Sequence, residues 1–251
     1  MDKKIIRAVS DARDFFEIKD FPGNFFNFVQ NKNLSDEKDL LLFKEDIGNL
    51  SGFIGYGTNK LVVICVNYKR PIGHQNFTFA HEIGHWFLHN GQNISDDNAS
   101  LYSRDSIEQE ANDFASEFLY PEKLFEEDFE FISENGLFSK TKRKDLAICI
   151  DSLCHKYYLS FEAILRKILY RNREANRYKE IKKEIDNSLC CKISEYFDKD
   201  FYIPNDLLEE YQQLRKPYEE LKSKVDELLL KNKIGVATSE SIKLRSGIEI
   251  K

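Results

Sequence analysis

The sequence predicts an α+β fold, in which a domain with a short mixed sheet is followed by an all-helical region. A brief β-branched run at 61–66 has the composition of a buried strand. An apolar helical pattern at 77–89 follows it closely, and the later part of the chain is helical in every periodic pattern. We therefore expect a mixed domain at 1–142 and a helical region at 143–251, of which about 143–170 has the pattern of a helix-turn-helix.

The strand predictions depend on two neighbouring stretches. The run 61–66, Leu-Val-Val-Ile-Cys-Val, is short, apolar and bounded by polar residues, which indicates a buried strand. The glycine-spaced stretch 51–57 before it favours a second strand and a turn. The earlier apolar stretches 15–28 and 40–43 are expected to mix helix and loop.

Two helices are predicted in the centre of the chain. The pattern at 77–89 is helical and is followed by an Asn-Gly pair, which commonly ends a helix. A polar loop is expected at 92–102, and a second helix at 106–120, which Pro121 stops. Further along, Ser160 is the expected N-cap of a helix that runs to about residue 169.

Composition limits the class of protein. A net charge of −6 does not suggest a protein built mainly to bind phosphate backbones, so we expect no direct nucleic-acid binding. Five cysteines without a C-x-x-C pair fit a reducing compartment better than a disulfide framework. No apolar run approaches the length of a bilayer, and the N-terminus lacks the pattern of a secretory signal. We expect a cytoplasmic protein with no membrane partner.

A metal site is predicted by the pentapeptide at 81–85, His-Glu-Ile-Gly-His. Residues four apart on a helix share one face, so His81 and His85 lie about 6 Å apart at Cβ, close enough to bind one zinc ion. Glu82 is adjacent and can reach a water molecule at the metal without being a ligand. The apolar flanks predict burial, and buried imidazoles need a partner.

A catalytic zinc ion takes three protein ligands, so a third must lie elsewhere. His89 extends the four-residue spacing, but the three histidines would then span about 12 Å along the helix axis, too far for one ion. Glu108 lies at the edge of the apolar stripe of the next helix, beside Ala111 and Ala115, whose small side chains would permit close packing. We assign Glu108 as the third ligand, with Glu110 as the alternative.

Two linked motifs, at 77–89 and at 108–121, resemble those of the ImmA/IrrE family of metallo-endopeptidases. The resemblance covers about residues 35–170. It implies a small zincin-like domain in which His81, His85 and Glu108 hold Zn²⁺. It also implies a protein substrate, a DNA-binding repressor of the helix-turn-helix type encoded nearby in a phage, mobile element or stress regulon.

The expected reaction is peptide hydrolysis with Glu82 as the catalytic base. The strand at 61–66 could hold the substrate by adding a strand to the sheet, if it lies at the sheet edge. The residue that stabilises the oxyanion stays open among four candidates: Tyr102, Arg104, Tyr120 and His155.

Two other functions compete with the peptidase hypothesis. A nucleic-acid-binding regulator is suggested by a basic run, although Glu174, Glu180 and Glu184 interleave with it. The run consists of Arg166, Lys167, Arg171, Arg173, Arg177, Lys179, Lys182 and Lys183. Alternatively, the zinc site is structural and the C-terminal helices, about 171–251, hold a partner. A base beside the metal argues against a purely structural site.

Overall fold

The structure is a computed structural model that describes residues 2–19, 23–29, 40–56, 61–89, 94–97, 106–197, 199–202, 215–231, 235–236, 239–240 and 243. The strands are β1 (Leu40–Glu45), β2 (Leu50–Tyr56), β3 (Val62–Asn67) and β4 (Ile94–Asp97). The helices are α1 (Lys3–Phe15), α2 (Ile72–His89), α3 (Ser106–Leu119), α4 (Glu122–Glu134), α5 (Arg143–Tyr157), α6 (Phe161–Arg171), α7 (Tyr178–Leu189), α8 (Ile193–Tyr196), α9 (Lys199–Tyr202) and α10 (Arg215–Leu230). The predicted α+β class is confirmed.

The strands form a mixed four-stranded sheet in the order β1-β3-β2-β4. β3 pairs in parallel with β1 and antiparallel with β2, which also pairs antiparallel with β4. The strands predicted at 51–57 and 61–66 are confirmed as β2 and β3. The expectation that β3 could bind substrate at the sheet edge is wrong, because β1 and β2 occupy both of its sides.

The expectation that residues 40–43 mix helix and loop is wrong. They begin β1, which pairs residue by residue with β3 from Leu40 opposite Val62 to Glu45 opposite Asn67. A run of leucines carries no strand signal of its own, so the pairing with a buried central strand determines the conformation. β4 likewise replaces part of the loop predicted at 92–102; the rest of that loop lies outside the described residues.

The sheet is buried on both faces, which explains why β3 has an uninterrupted apolar sequence. Alternate residues, among them Leu42 and Ile64, point into the main core with α2 and α3. Leu41 and Cys65 point to the opposite face, where Val225 of α10 covers a second, smaller core. The main core includes residues from both sides of residue 142, and the division at that residue stays a prediction.

α2 begins at Ile72, five residues before the predicted start at 77. The prediction began too late because the first turn of the helix carries polar residues and lacks the apolar pattern. Gln75 and Asn76 are nevertheless buried, at 3% and 2% exposure. The Gln75 amide donates to the backbone carbonyl of Tyr68, and the Asn76 amide donates to that of Tyr158. Hydrogen bonds to distant segments therefore replace the apolar pattern in this turn.

The helix predicted at 106–120 is confirmed as α3, which ends at Leu119 before Pro121. The proline does not lead into a loop, because α4 begins at the next residue. The predicted cap of α6 is confirmed, since the Ser160 hydroxyl accepts a hydrogen bond from the backbone N–H of Ala163 at 3.2 Å. None of the helices in the described part of the chain is both long enough and apolar enough to cross a membrane.

Candidate metal centre

The middle of α2 is enclosed on two sides. His81, Glu82 and His85 are each 0% exposed, because the sheet packs against one face of the helix and α3 packs against another. Imidazole and carboxylate groups are costly to bury without a partner or an ion. Unlike surface residues of the same types, these three buried side chains therefore need a polar partner or an ion.

Gly84 lets α3 approach α2 closely. A Cβ atom at this position would lie 3.0 Å from the Phe114 ring and 3.2 Å from the backbone of Ala111. Both distances are shorter than an ordinary van der Waals contact, so a larger residue would force the helices apart. The close approach expected from the alanines of α3 is thus observed, and it brings Glu108 over the two histidines.

Three potential ligand atoms converge between the two helices. Nε2 of His81 and Nε2 of His85 are 2.9 Å apart. Oε2 of Glu108 lies 3.2 Å from the first nitrogen and 3.5 Å from the second. Tetrahedral zinc with bonds of 2.0 to 2.1 Å separates neighbouring ligand atoms by about 3.3 Å, so the three distances fit one ion of this kind.

The protonation states of the group also suit a cation. Burial lowers the pKa of His81, which favours the neutral ring with a lone pair available for a metal. Burial acts to raise the pKa of Glu108, but the two imidazoles beside it outweigh this effect and lower the pKa to about 2. At neutral pH the site therefore offers an ionised carboxylate and a neutral imidazole, as metal binding requires.

Asn112 orients His81 from the opposite side of the ring. Its Oδ1 lies 3.0 Å from Nδ1 of His81 and accepts a hydrogen bond when that nitrogen carries the proton. Nε2 is then left with its lone pair toward Glu108. Sequence reasoning missed Asn112, although its position four residues after Glu108 places it on the same face of α3.

Glu82 lies against β2. A Cβ atom at Gly52 would come within 3.1 Å of Oε1 of Glu82 and 2.5 Å of Cγ2 of Thr78. The glycine therefore lets the strand pass close to the helix without displacing the carboxylate. Sequence reasoning assigned Gly52 only to a strand, and the glycine spacing at 51–57 was the available signal.

His89 and Glu110 lie outside the group of three. His89 contacts the other ring nitrogen of His85, with 3.1 Å between the two Nδ1 atoms. Glu110 has 34% of its side chain exposed, against 13% for Glu108, and lies 3.1 Å from Nε2 of His89. The prediction that Glu108 lies closer to the buried stripe than Glu110 agrees with these exposures.

The candidates for an oxyanion-stabilising residue are engaged elsewhere or undescribed. The Tyr120 hydroxyl donates to Asp128 at 2.9 Å, and His155 contacts the backbone carbonyl of Asp151 at 2.9 Å. Neither contact involves His81, His85 or Glu108. Tyr102 and Arg104 lie outside the described residues.

Four of the eight residues in the basic run that suggested nucleic-acid binding are paired with carboxylates. Pairs join Arg166 to Glu162, Lys167 to Glu122, Arg171 to Glu126, and Arg177 to both Glu174 and Glu180. These pairs fit the interpretation of this part of the run as a solvated charged surface.

The fold and the site define an α+β domain in which one buried helix supplies two imidazoles and the next helix a carboxylate, which together could hold one metal ion. A sequence model of the Peptidase M78 family, described as the IrrE N-terminal-like domain, matches residues 36–169. The match covers more than half of the chain, and the chain belongs to this family. The resemblance stated from the motifs is thereby confirmed.

The similarity to one named relative supports the assignment to this family. The chain is 29% identical over 102 residues to the metallopeptidase ImmA of Bacillus subtilis (strain 168). The alignment covers 39% of this chain and 59% of the relative. The chain therefore matches less than two thirds of the relative's length.

Proposed function

We propose that this chain is a zinc-dependent endopeptidase in which His81, His85 and Glu108 hold the metal. The observation that carries the proposal is the convergence of two Nε2 atoms and one carboxylate oxygen, which lie 2.9 to 3.5 Å from one another. The sequence order of these ligands, His-Glu-x-x-His and then a glutamate on the next helix, is the gluzincin pattern. Nitrogen and carboxylate ligands of this number favour zinc with an open fourth position.

Glu82 acts as the catalytic base in this proposal. Bound zinc supplies Lewis acidity and makes a water molecule a stronger acid near neutral pH. The Glu82 carboxylate takes the proton from the attacking water and then gives it to the amine that leaves the cleaved peptide bond. Its burial between α2 and β2 restricts its motion, while Gly52 keeps space around Oε1.

The proposed substrate is a DNA-binding repressor of the helix-turn-helix type in a phage, mobile-element or stress-response system. The resemblance to the ImmA/IrrE family supports this substrate class. The net charge of −6 favours association with a basic DNA-binding protein over direct binding to nucleic acid. The proposed location of both partners is the cytoplasm.

Metal content tests the foundation of the proposal. Mass spectrometry of the purified wild type should find about one zinc per chain. His85→Ala should lose it, Glu108→Ala should bind it more weakly, and Glu82→Gln should retain it. Absence of zinc after reconstitution, or zinc unaffected by His85→Ala, would overturn the proposal.

Cleavage tests the reaction and the substrate class. A repressor encoded near this gene is incubated with the zinc-loaded wild type and with Glu82→Gln, and the fragments are identified by mass spectrometry. We expect cleavage by the wild type and a loss of about 10²- to 10⁴-fold in the variant, which keeps the metal but lacks the base. Equal cleavage by both proteins would exclude Glu82 as the base.

A further inference from the structure

His85 has a second polar contact on the side of its ring that faces away from Glu108. Its Nδ1 lies 3.1 Å from Nδ1 of His89, one turn later on α2. Nε2 of His89 in turn lies 3.1 Å from Oε2 of Glu110 on α3, and the Lys4 ammonium of α1 donates to the same carboxylate at 2.7 Å. We call His89, Glu110 and Lys4 the His85 relay.

The chemistry of the relay allows one consistent assignment of protons. If His85 offers the lone pair of Nε2 to a metal, its proton is on Nδ1, which becomes a donor. Nδ1 of His89 must then accept, so the proton of His89 is on Nε2 and points to Glu110. An ionised carboxylate only accepts and an ammonium group only donates, so the contacts at Glu110 agree with the same assignment.

We propose that the His85 relay fixes the ring orientation and the tautomer of His85, with His89 as the positioning residue in direct contact. This inference rests on the proposed zinc site and adds residues that the ligand group does not contain. Metal-ligating histidines commonly donate their other ring N–H to a carboxylate or carbonyl group. Here a second histidine stands between the ligand and the carboxylate.

Burial decreases along the relay from the metal group to the surface. The His89 side chain is 8% exposed, that of Glu110 34% and that of Lys4 51%. Hydrogen bonds are worth more in the buried part, whereas an exposed ion pair contributes little. The effect of substitution on zinc affinity should therefore be largest at His89 and smallest at Lys4.

The relay also gives α1 a role in the site. Lys4 lies before residues 36–169, the stretch that matches the family. α1 is anchored in the main core by Ile5, Ala8 and Ala12, which hold the helix against α2 and α3. The N-terminal helix is thus packed where its lysine can reach Glu110.

Two substitutions at His89 separate the two contacts of its ring. In His89→Asn the side-chain oxygen takes nearly the position of Nδ1, so the acceptor for His85 is kept and the contact to Glu110 is lost. In His89→Gln the amide nitrogen reaches about as far as Nε2, so the donor to Glu110 is kept and the acceptor for His85 is lost. Both variants are polar and cannot titrate near neutral pH.

Zinc affinity is measured by competition with a chromophoric chelator at pH 7.5, on proteins whose circular dichroism shows the wild-type fold. We expect His89→Gln to bind zinc about 10- to 100-fold more weakly than the wild type. His89→Asn should recover most of that loss. Lys4→Met should weaken binding by about threefold or less. Lys3→Met, which changes an exposed neighbour on the same helix, should have no effect.

A spectroscopic measurement on the zinc-loaded wild type tests the proton assignment directly. Nitrogen-15 NMR of the histidine rings should find Nε2 of His89 protonated and Nδ1 unprotonated. A merely space-filling role for His89 would not require this tautomer. The measurement needs no variant, so it remains decisive if a substitution at His89 prevents folding.

The outcomes separate this inference from the proposed function. A wild type that binds no zinc overturns both. Zinc bound by the wild type and equally well by His89→Gln overturns the relay alone. Equal weakening in His89→Asn and His89→Gln also overturns it, because the acceptor at the Nδ1 position would then be irrelevant. A protonated Nδ1 on His89 overturns the proton assignment on which the relay depends.

Discussion

His81 and Asn112 are joined by a 3.0 Å contact between Nδ1 and Oδ1, which links the two helices of the candidate metal centre. α3 thus contributes to the site twice, through Glu108 and, one turn later, through Asn112. The two imidazoles are supported differently, because His85 contacts a second histidine where His81 contacts a neutral amide. Each support leaves the Nε2 atom of its imidazole facing Glu108.

Replacement of Asn112 by leucine should weaken zinc binding by about 10- to 100-fold. Leucine has nearly the same shape but no acceptor for Nδ1 of His81, so the ring is free to rotate and to change its tautomer. Asn112→Asp is the matched variant, since it keeps an oxygen at the same position. Titration with a competing chelator measures both, and equal affinity of Asn112→Leu and wild type would contradict the role assigned to Asn112.

Gly84→Ala should lower the free energy of unfolding by up to about 2 kcal/mol. Alanine has a better helix propensity by about 1 kcal/mol, but overpacking typically costs 1 to 3 kcal/mol. The new Cβ would lie 3.0 Å from the Phe114 ring and 3.2 Å from backbone atoms of Ala111, which cannot move independently of α3. Urea denaturation in the presence of a chelator measures the change in stability.

Gly235→Ala is the control for Gly84→Ala, because nothing lies within 4 Å of the Cβ that it would introduce. Its effect should stay within about 0.5 kcal/mol of zero. Gly84→Ala should in addition bind zinc more weakly, since displacement of α3 moves Glu108. A Gly84→Ala protein that is more stable than the wild type would contradict the close approach of the two helices.

The stability of the metal-free protein should fall on acidification partly because of His74. Burial, with a smaller contribution from the nearby Arg70 charge, lowers the pKa of His74 from 6.5 to about 4. Between pH 6.5 and about pH 4, His74 is therefore largely protonated in the unfolded chain and largely neutral in the folded chain. This contribution to stability is present above about pH 6.5 and is lost as the pH falls toward 4, by about 1 to 2 kcal/mol at pH 5.

His74→Gln isolates this contribution from those of the other histidines. Glutamine can still contact the Ser51 hydroxyl, which lies 3.0 Å from Nε2 of His74, but it does not titrate. The midpoint of urea unfolding is measured from pH 7 to pH 5 for both proteins with a chelator present. Parallel pH dependences would show that His74 titrates normally in the folded protein.

Local spacing made the centre of the site predictable from the sequence. Helix geometry alone places His81 and His85 on one face. The position of Glu108 at the edge of an apolar stripe anticipated a side chain less exposed than that of Glu110, and the structure has this order. These inferences needed only the helical period, which the sequence carries directly.

Features that depend on distant contacts could not be predicted in the same way. β1 has no strand pattern and exists by pairing with β3. The first turn of α2 is held by amide hydrogen bonds of Gln75 and Asn76 to remote carbonyls, so its polar sequence does not resemble a buried helix. Lys4 joins the His85 relay across 106 positions of sequence. The local periodicity of a sequence does not indicate contacts between residues that are so far apart in the chain.

Gly52→Ala should reduce peptide cleavage more than it reduces zinc binding. The Cβ of alanine would lie 2.5 Å from Cγ2 of Thr78 and 3.1 Å from Oε1 of Glu82, so the strand or the carboxylate must shift. None of the three proposed ligands is among the nearest contacts of this Cβ. We expect turnover to fall about tenfold or more, with zinc affinity within about threefold of the wild type, because loss of general-base catalysis is costly.

The double variant Gly52→Ala/Thr78→Ser removes the contact to Thr78 and keeps those to the Cys65 backbone oxygen, at 3.0 Å, and to Glu82. Serine lacks the Cγ2 methyl group, so the shortest contact disappears and part of the lost stability should return in urea denaturation. Glu82 stays crowded, so turnover should remain low. Full recovery of turnover in the double variant would mean that the single substitution acts only through Thr78, and that the contact between the new Cβ and the Glu82 carboxylate does not limit turnover.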